Sequence, residues 1–313
     1  MIASGFGWVG HAGATLLSTG AGGKIGAERE DRAISIAAFV RFAGVLMAMA
    51  IAFDGNALAR PHRIVSINMC ADQYLMVLAD KEQIAGLSDY ARDKTLSFYA
   101  ARAQSYPVVK STAEAIMPLQ PDLILGSPSR RLQTRALLKR FGFRTLDVTV
   151  ARNFDDIVKQ TRLIAGAVGY PARGEALIAS TRARLAKVRP LPSNPPPVAV
   201  YYQRQGYVTG TDTLMDEMMR RVGLQNLAGR LHDAQLAHVD LEAIVAARPN
   251  YIIFTNDQSH IRDWGAMLLS NPALAAIQGK PRRLYIPDTL TVCGGPSYPA
   301  AVERLSAELH NAH

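Results

Sequence analysis

The sequence contains few of the residues that build metal sites. It has two cysteines, Cys70 and Cys293, and seven histidines. The histidines after residue 60 lie at positions 62, 232, 238, 260, 310 and 313, without the close spacing typical of metal ligands. We therefore predict no metal site, and we expect His232 and His238 at the surface or at helix caps.

Dense runs of lysine and arginine with interleaved aromatic residues, which are typical of nucleic-acid-binding segments, are absent. The net charge is +9, but the basic residues are scattered among helical patterns. A solvated basic surface accounts for them, so we expect no nucleic-acid partner. The 49% hydrophobic and 19% charged content of the 313 residues excludes a disordered chain and suffices for one large core or two moderate ones.

Signatures of catalysis are also missing from the sequence. There is no G-x-S-x-G elbow, no H-E-x-x-H helix and no supported carboxylate pair. Gly5, Gly7 and Gly10 match the spacing of a dinucleotide-binding loop, but no strand precedes them and no helix follows. The sequence therefore predicts no catalytic residues.

No hydrophobic run reaches the length of about 20 residues that a membrane span needs. The apolar stretch at residues 42–53 follows Arg41 and precedes Ala57, Leu58 and Ala59. A basic flank, a short apolar stretch and small residues at its end are the parts of a secretory signal. We predict that residues 1–59 are a leader and signal peptide, cleaved near Ala59, and that the mature protein is periplasmic.

From residue 60 onward, short β-rich runs alternate with helical patterns. Predicted strands lie at residues 64–67, 84–87, 123–125, 144–148, 198–202, 207–209, 251–254 and 284–286. Strands that alternate with helices of about 10 to 15 residues are typical of parallel sheets built from βα units. We predict an α/β fold with parallel central sheets in two lobes, at residues 60–153 and 190–313.

The segment between the lobes, residues 154–189, has a purely helical pattern. Asn153 is a plausible N-cap for its first helix, and Pro171 is well placed to open the second. The second helix would extend roughly 27 Å at 1.5 Å per residue, and the proline-rich segment 189–197 ends it. We predict a single long connector helix that joins the lobes.

One sequence phrase occurs in both halves of the chain. EAIMPLQPDLIL at residues 114–125 matches EAIVAARPNYII at residues 242–253. Each copy predicts a short helix, a turn marked by proline and a buried strand. Because the copies lie on either side of the connector, they indicate duplicated lobes.

Four segments carry a resemblance to a known family: RIVSINMCADQ at residues 63–73, IAGLS at 84–88, PDLI at 121–124 and CGGP at 293–296. Their order and spacing resemble the substrate-binding proteins of iron-siderophore and cobalamin ABC importers, over about residues 62–310. The resemblance implies two lobes joined by a rigid helix, a metal chelate bound between them, no cofactor, and delivery to a permease dimer in the inner membrane.

The resemblance also implies which residues contact the ligand. They lie in loops at the carboxyl ends of the strands, the usual ligand location on open parallel sheets: Asn68, Met69, Cys70, Tyr90, Arg130, Arg152, Tyr202, Arg204, Tyr207, Trp264, Cys293 and Tyr298. Aromatic rings and guanidinium groups suit a chelate with planar organic parts and anionic donors.

Glu114 and Glu242 have two candidate roles. In similar proteins, one exposed acid on each lobe docks onto arginines of the permease. Alternatively, Ser111 and Glu114 form an S-x-x-E capping box, and Asp240 with Glu242 places acids in a first helical turn, where the helix dipole favours them. Both roles remain open, and one glutamate can serve both.

The resemblance places Cys70 and Cys293 on loops of opposite lobes near the cleft. Two cysteines in an oxidising compartment suggest one disulfide. The pair either bridges the cleft and restricts its opening or remains as thiols near the ligand. The sequence leaves the choice open, because a disulfide requires Cα atoms within about 7 Å.

The predicted function is capture of an iron(III)-siderophore or a cobalamin-type chelate without chemistry. Trp264, the single tryptophan of the predicted mature chain, together with several tyrosines and arginines, favours an anionic siderophore over a corrin. Haem stays open. The alternatives are an exported enzyme or a receptor for a free metal ion on the same fold.

Overall fold

The computed structural model describes residues 60–231, 236–255, 271–277 and 281–312. The predicted leader and signal peptide at 1–59, with the cleavage site near Ala59, lies outside the described residues, and so does Trp264. None of the helices in the described ranges is both long and apolar enough to cross a membrane.

The first lobe is built on a parallel sheet of four strands in the order β2-β1-β3-β4. The strands are β1 Ile64–Ser66, β2 Ile84–Gly86, β3 Leu123–Gly126 and β4 Thr145–Asp147. Its helices are α1 Met69–Leu78, α2 Ala100–Ala103, α3 Ala113–Ile116 and α4 Leu132–Arg140. Both β1 and β3 are wholly buried, because neighbouring residues of each strand contribute to cores on opposite faces of the sheet.

The second lobe also has a parallel sheet of four strands, in the order β10-β9-β5-β7. They are β5 Val198–Tyr201, β7 Gln225–Asn226, β9 Tyr251–Phe254 and β10 Arg282–Tyr285. The strands β6 Tyr207–Thr209 and β8 Leu236–His238 form a separate antiparallel pair. The helices are α7 Leu214–Arg221, α8 Leu241–Ala247, α9 Pro272–Ala275, α10 Asp288–Thr291 and α11 Tyr298–Asn311.

The two large sheets have the same topology. Numbered within its own lobe, each sheet runs second, first, third, fourth from one edge to the other. The repeated sequence phrase leads into the third strand in both cases, β3 and β9. The predicted fold, two α/β lobes with parallel sheets, is confirmed.

The repeated phrase also folds alike in its details. Gln120 and Arg248 occupy the same place in the phrase, and both adopt the left-handed conformation, with φ of 46° and 48°. Two residues later, the Asp122 carboxylate accepts hydrogen bonds from the backbone N–H of His62 and Arg63 just before β1. Asn250 accepts one from the N–H of Val198, the first residue of β5.

Helices α5 Phe154–Ala167 and α6 Pro171–Leu185 connect the lobes. As predicted, Asn153 caps α5 by accepting the N–H of Asp156 at 2.8 Å, and Pro171 opens α6. Helix α6 crosses between the lobes, since Leu177 packs on the core of the first lobe and Leu185 lies in that of the second.

Helix α5 runs alongside α6 and also contacts both lobes. Its Ile157 belongs to a core of the second lobe and its Ile164 to a core of the first. Both helices contact both cores, so these contacts do not define where the connector begins and ends. Its predicted limits, at residues 154 and 189, stay predictions.

Candidate functional site

The carboxyl edges of the two parallel sheets face each other. Cys70, which follows β1, forms a disulfide with Cys293, which follows β10, with a Cα–Cα distance of 5.3 Å. Ligands of open α/β sheets bind at this edge of the strands. The bridge therefore brings together the two edges at which a ligand is expected.

We call the contact between the lobes around Cys70 and residues 293–295 the junction. Helix α1 supplies the residues of the first lobe at this junction. The Asn68 side chain accepts the N–H of Ala71 at 3.0 Å and so caps the helix. Met69 and Cys70 follow in the first turn and are partly buried. One turn beyond Cys70, the fully buried Tyr74 donates a hydrogen bond from its hydroxyl to the carbonyl of Gly294, at 3.4 Å.

The junction requires glycine on the side of the second lobe. A Cβ atom at Gly295 would lie 3.0 Å from the ring of Tyr74, and one at Gly294 would lie 2.9 Å from both Ala151 and Leu214. Any side chain at these positions would push apart the elements that they join. The Gly294-Gly295 pair thus permits a close approach of backbone to neighbouring side chains.

A cavity of about 270 Å³ opens beside this junction. Its walls come from the segment that follows β4, from the ends of β5 and β6, from α7 and from the α10 region: Val150, Ala151, Arg152, Tyr201, Gln203, Thr209, Thr213, Leu214, Met215, Met218, Asp288, Thr291, Val292 and Gly294. The cavity is therefore lined by groups from both halves of the chain.

Several polar groups of the cavity are held by hydrogen bonds. The Gln203 amide donates to the Thr209 hydroxyl at 2.6 Å, and the Tyr201 hydroxyl lies 3.5 Å from that of Thr291. Burial raises the pKa of the Asp288 carboxyl, although a hydrogen bond from Thr255 and the charge of Arg204 oppose the rise. Such a lining can bind the polar substituents of an organic ligand, while methionine and leucine cover apolar parts.

Some of the predicted ligand contacts lie at this edge. Arg152 lines the cavity, and its side chain is 67% exposed. Tyr90 and Arg130 are exposed on loops that follow β2 and β3. Arg204 and Tyr207 are exposed on the turn and strand that follow β5.

Three predicted contacts are buried instead: Cys293, which is 1% exposed and bonded to Cys70, and two tyrosines in the protein core. Tyr202 is 1% exposed and packs on the face of the second sheet opposite the cavity. Tyr298 is fully buried, stacks on Phe154 and donates to the Glu217 carboxylate at 3.1 Å. We correct the predicted site accordingly and leave both tyrosines out of it, because neither ring has an exposed surface for a ligand.

The structure adds residues to the site that the sequence did not single out. Tyr201 takes the place assigned to Tyr202, because side chains alternate between the two faces of a strand and Tyr201 points to the cavity side. The remaining additions lie near helix starts and strand ends: Thr209, Thr213, Met215, Met218, Asp288 and Thr291. The polar positions among them carry no motif that could have identified them.

The predicted capping box at Ser111 and Glu114 is wrong. Helix α3 begins after Thr112, which makes no side-chain capping bond, and the Ser111 hydroxyl donates to Asp89 instead. Glu114 and Glu242 occupy equivalent positions in the first turns of α3 and α8, and both are exposed. The helix dipole favours an acid at each place.

Within the residues that the structure describes, no three His, Cys, Asp or Glu side chains gather into a group that could hold a metal ion. Among the described residues, the cavity lining offers hydrogen-bonding groups, the guanidinium of Arg152, the carboxylate of Asp288 and apolar packing.

Comparison with known proteins gives consistent results. The chain is 25% identical over 205 residues to a cobalamin-binding protein of Halobacterium salinarum, an alignment that covers 62% of this chain and 54% of that protein. The matched part thus spans about half the length of that relative. It is 23% identical over 208 residues, 63% of this chain, to 64% of an uncharacterized ABC transporter substrate-binding lipoprotein of Bacillus subtilis.

Solved structures share the fold, and two of them illustrate the match. The periplasmic heme-binding protein RhuT from Roseiflexus sp. RS-1 superimposes with a TM-score of 0.66 at 23% identity, covering 80% of this chain and 98% of that one. The periplasmic heme-binding protein HutB of Vibrio cholerae gives 0.65 at 17% identity, covering 79% and 98%.

The family model described as periplasmic binding protein matches residues 64–280, which is more than half of the chain. The chain therefore belongs to the periplasmic binding protein family, whose members bind transported ligands and are not enzymes.

Proposed function

We propose that this protein captures a metal chelate between its lobes in the periplasm and delivers it to the permease dimer of an ABC importer. The observation that carries the proposal is the cavity at the carboxyl edges of both sheets, which is lined by residues from both halves of the chain. The chemistry is binding alone, without turnover and without a cofactor.

Exposed apolar side chains near the same edge support an organic ligand. Val150, which follows β4, and Val292, which follows α10, both line the cavity, and they are 83% and 45% exposed. Apolar groups left in water at a cleft are typical of a surface that is covered when a partner or ligand binds. A chelate with extended planar or apolar parts fits such a rim.

The chelate classes that we propose are an iron(III)-siderophore, a cobalamin-type corrinoid and haem. Relatives support the last two, since one is described as cobalamin-binding and two structural neighbours as heme-binding. The exposed arginines near the edge, Arg130, Arg152 and Arg204, suit the anionic groups of a siderophore or of haem.

Glu114 and Glu242 are the proposed contacts with the permease. They sit at equivalent places in two lobes of the same topology, so a pair of like partners can engage them together. Both side chains are exposed, and neither takes part in an ion pair among the residues that the structure describes. Carboxylates in this state are available to arginines of a partner.

The test is a titration of the exported protein with cyanocobalamin, haemin, a ferric hydroxamate and a ferric catecholate, followed by intrinsic fluorescence. We expect at least one to bind with a dissociation constant below about 10 μM, equivalent to more than about 7 kcal/mol. Failure of all four to reach that affinity would contradict the proposal. Product analysis after prolonged incubation should recover the bound chelate unchanged, whereas chemical conversion would support an enzyme.

A further inference from the structure

The disulfide between the lobes is directly connected to the cavity. Cys293 lies between Val292 and Gly294, and both of these neighbours line the cavity. These three residues, 292–294, form one wall of the cavity. The position of this wall therefore depends on the contacts that hold Cys293 in place.

Cys70 provides a rigid anchor for that wall. It lies in the first turn of α1, a helix whose Ala71, Tyr74, Leu75 and Leu78 are fully buried in the core of the first lobe. Such a helix moves with its core, because a close-packed interior does not deform continuously.

The noncovalent contacts at the same place are close packing and two hydrogen bonds longer than 3 Å. The hydroxyl of Tyr74 reaches the carbonyl of Gly294 at 3.4 Å, and the Ser297 hydroxyl donates to the carbonyl of Cys293 at 3.2 Å within the second lobe. Val292 is 45% exposed. Among the described residues, the wall is joined to the first lobe by the disulfide, by the Tyr74 hydroxyl and by the packing of Gly294 against Ala151, and only the disulfide is covalent.

We propose that Cys70 and Cys293 are positioning residues of the ligand site: their bridge holds the cavity wall at residues 292–294 against the first lobe before the ligand arrives. This inference rests on the proposed function. A wall that is already in place does not have to be ordered on binding, so the bridge increases affinity without contacting the chelate.

The bridge also stabilises the fold, and the two effects have to be separated. It closes a loop between residues 223 apart in sequence, which restricts the unfolded chain. If the role of the bridge were purely structural, its loss would lower the unfolding temperature and leave the affinity of the folded protein unchanged. Affinity measured far below the unfolding transition of every form therefore reports positioning.

The experiment compares the oxidised wild type, the reduced wild type and the Cys70→Ser/Cys293→Ser variant. Dithiothreitol reduces the bridge: the S–S bond takes up two electrons and two protons to give two thiols, and the reagent is oxidised to its cyclic disulfide. The reagent is then removed under anaerobic buffer. Each form is titrated with cyanocobalamin and with haemin, and amide hydrogen exchange of residues 292–295 is measured in the free protein.

We expect about tenfold weaker binding after reduction, through a faster dissociation rate, together with faster exchange at residues 292–295. Reoxidation should restore the wild-type affinity, and dithiothreitol should not change the double variant. Equal or tighter binding by the reduced protein, or unchanged exchange, would overturn the inference and leave the proposed function standing. If no form binds either chelate, the exchange measurement still decides whether the bridge positions the wall.

Discussion

Gly294 of the second lobe lies against Ala151, which follows the last strand of the first sheet. A Cβ atom added to Gly294 would be 2.9 Å from the Cβ of Ala151 and 2.9 Å from Leu214. Both neighbours also line the cavity. A single hydrogen atom at position 294 therefore decides how closely the walls of the cavity approach each other.

Gly294→Ala should force these walls apart. We expect the free energy of unfolding to fall by about 1–3 kcal/mol, the usual cost of overpacking a tight contact, and chelate affinity to fall as well. Chemical denaturation and fluorescence titration measure the two effects. Gly166→Ala is the matched control: its added Cβ would point into open space, so helix propensity should leave that variant as stable or more stable. Equal losses in both variants would contradict the role of the close contact.

Asp122 and Asn250 should stabilise their lobes in the same way. Each caps the first strand of its sheet by accepting backbone N–H groups, at 2.6 and 3.1 Å for Asp122 and at 2.8 Å for Asn250. Replacing Asn250 by alanine should lower the free energy of unfolding by about 1–3 kcal/mol, because a partly buried N–H loses its acceptor. Replacing Asp122 by alanine should cost about 1 kcal/mol, because its two hydrogen bonds are exposed to solvent. Asp122→Asn retains an acceptor oxygen and should cost less. An alanine variant at either position that keeps the wild-type free energy of unfolding would contradict the equivalence of the two residues.

Asp72 should make stability depend on pH. Burial raises the pKa of its carboxyl from 3.8 to about 6, with a contribution from the charge of Asp89, although hydrogen bonds from Ser66 and Ser88 oppose the rise. The folded protein then binds this proton more tightly than the unfolded chain. Stability from this group is greatest below pH 3.8 and is lost as pH rises to about 6.

The comparison of wild type with Asp72→Asn isolates this titration from that of the other carboxyl groups. Between about pH 4 and pH 7 the wild type should lose up to about 3 kcal/mol relative to the variant. Urea denaturation at a series of pH values gives the difference. A difference that stays constant over this range would show that the carboxyl of Asp72 titrates alike in the folded and unfolded states.

Glu114 and Glu242 should matter for transport and not for binding. Reversing either charge, in Glu114→Lys or Glu242→Lys, should leave chelate affinity within about twofold, since both residues lie on exposed helix starts away from the cavity lining. Uptake through the importer should fall strongly, and further in the double variant. Glu82→Lys, another exposed glutamate, is the control and should transport normally. Normal uptake by the double variant would remove the docking role.

The alternation of strands and helices predicted the architecture well because it reflects local physics. Asn153 and Pro171 were identified from capping and backbone preferences that act within a few residues. The repeated phrase predicted two similar lobes, and the structure matches it even at the left-handed residues Gln120 and Arg248. The connector differs in one respect, because two helices rather than one contact both cores.

The individual site residues were harder to predict. Tyr201 and Tyr202 are adjacent, and the register of β5 alone decides which of them reaches the cavity. Tyr298 follows a glycine-rich loop, as a ligand contact can, yet it packs beneath α5. Ser111 fits a capping box, but a tertiary partner, Asp89, takes its hydroxyl. In each case a contact distant in sequence overrides the local pattern.

The central claim is that a chelate binds in the cavity between the lobes. Arg152 lines that cavity and Lys159 does not, yet both lie 3.8 Å from the same carboxylate, that of Asp156. Arg152→Ala and Lys159→Ala therefore remove the same kind of surface ion pair. The decisive measurement is the affinity of the two variants for whichever of the four chelates binds the wild type. The account predicts about tenfold weaker binding for Arg152→Ala and wild-type binding for Lys159→Ala; equal affinity in both variants would contradict it.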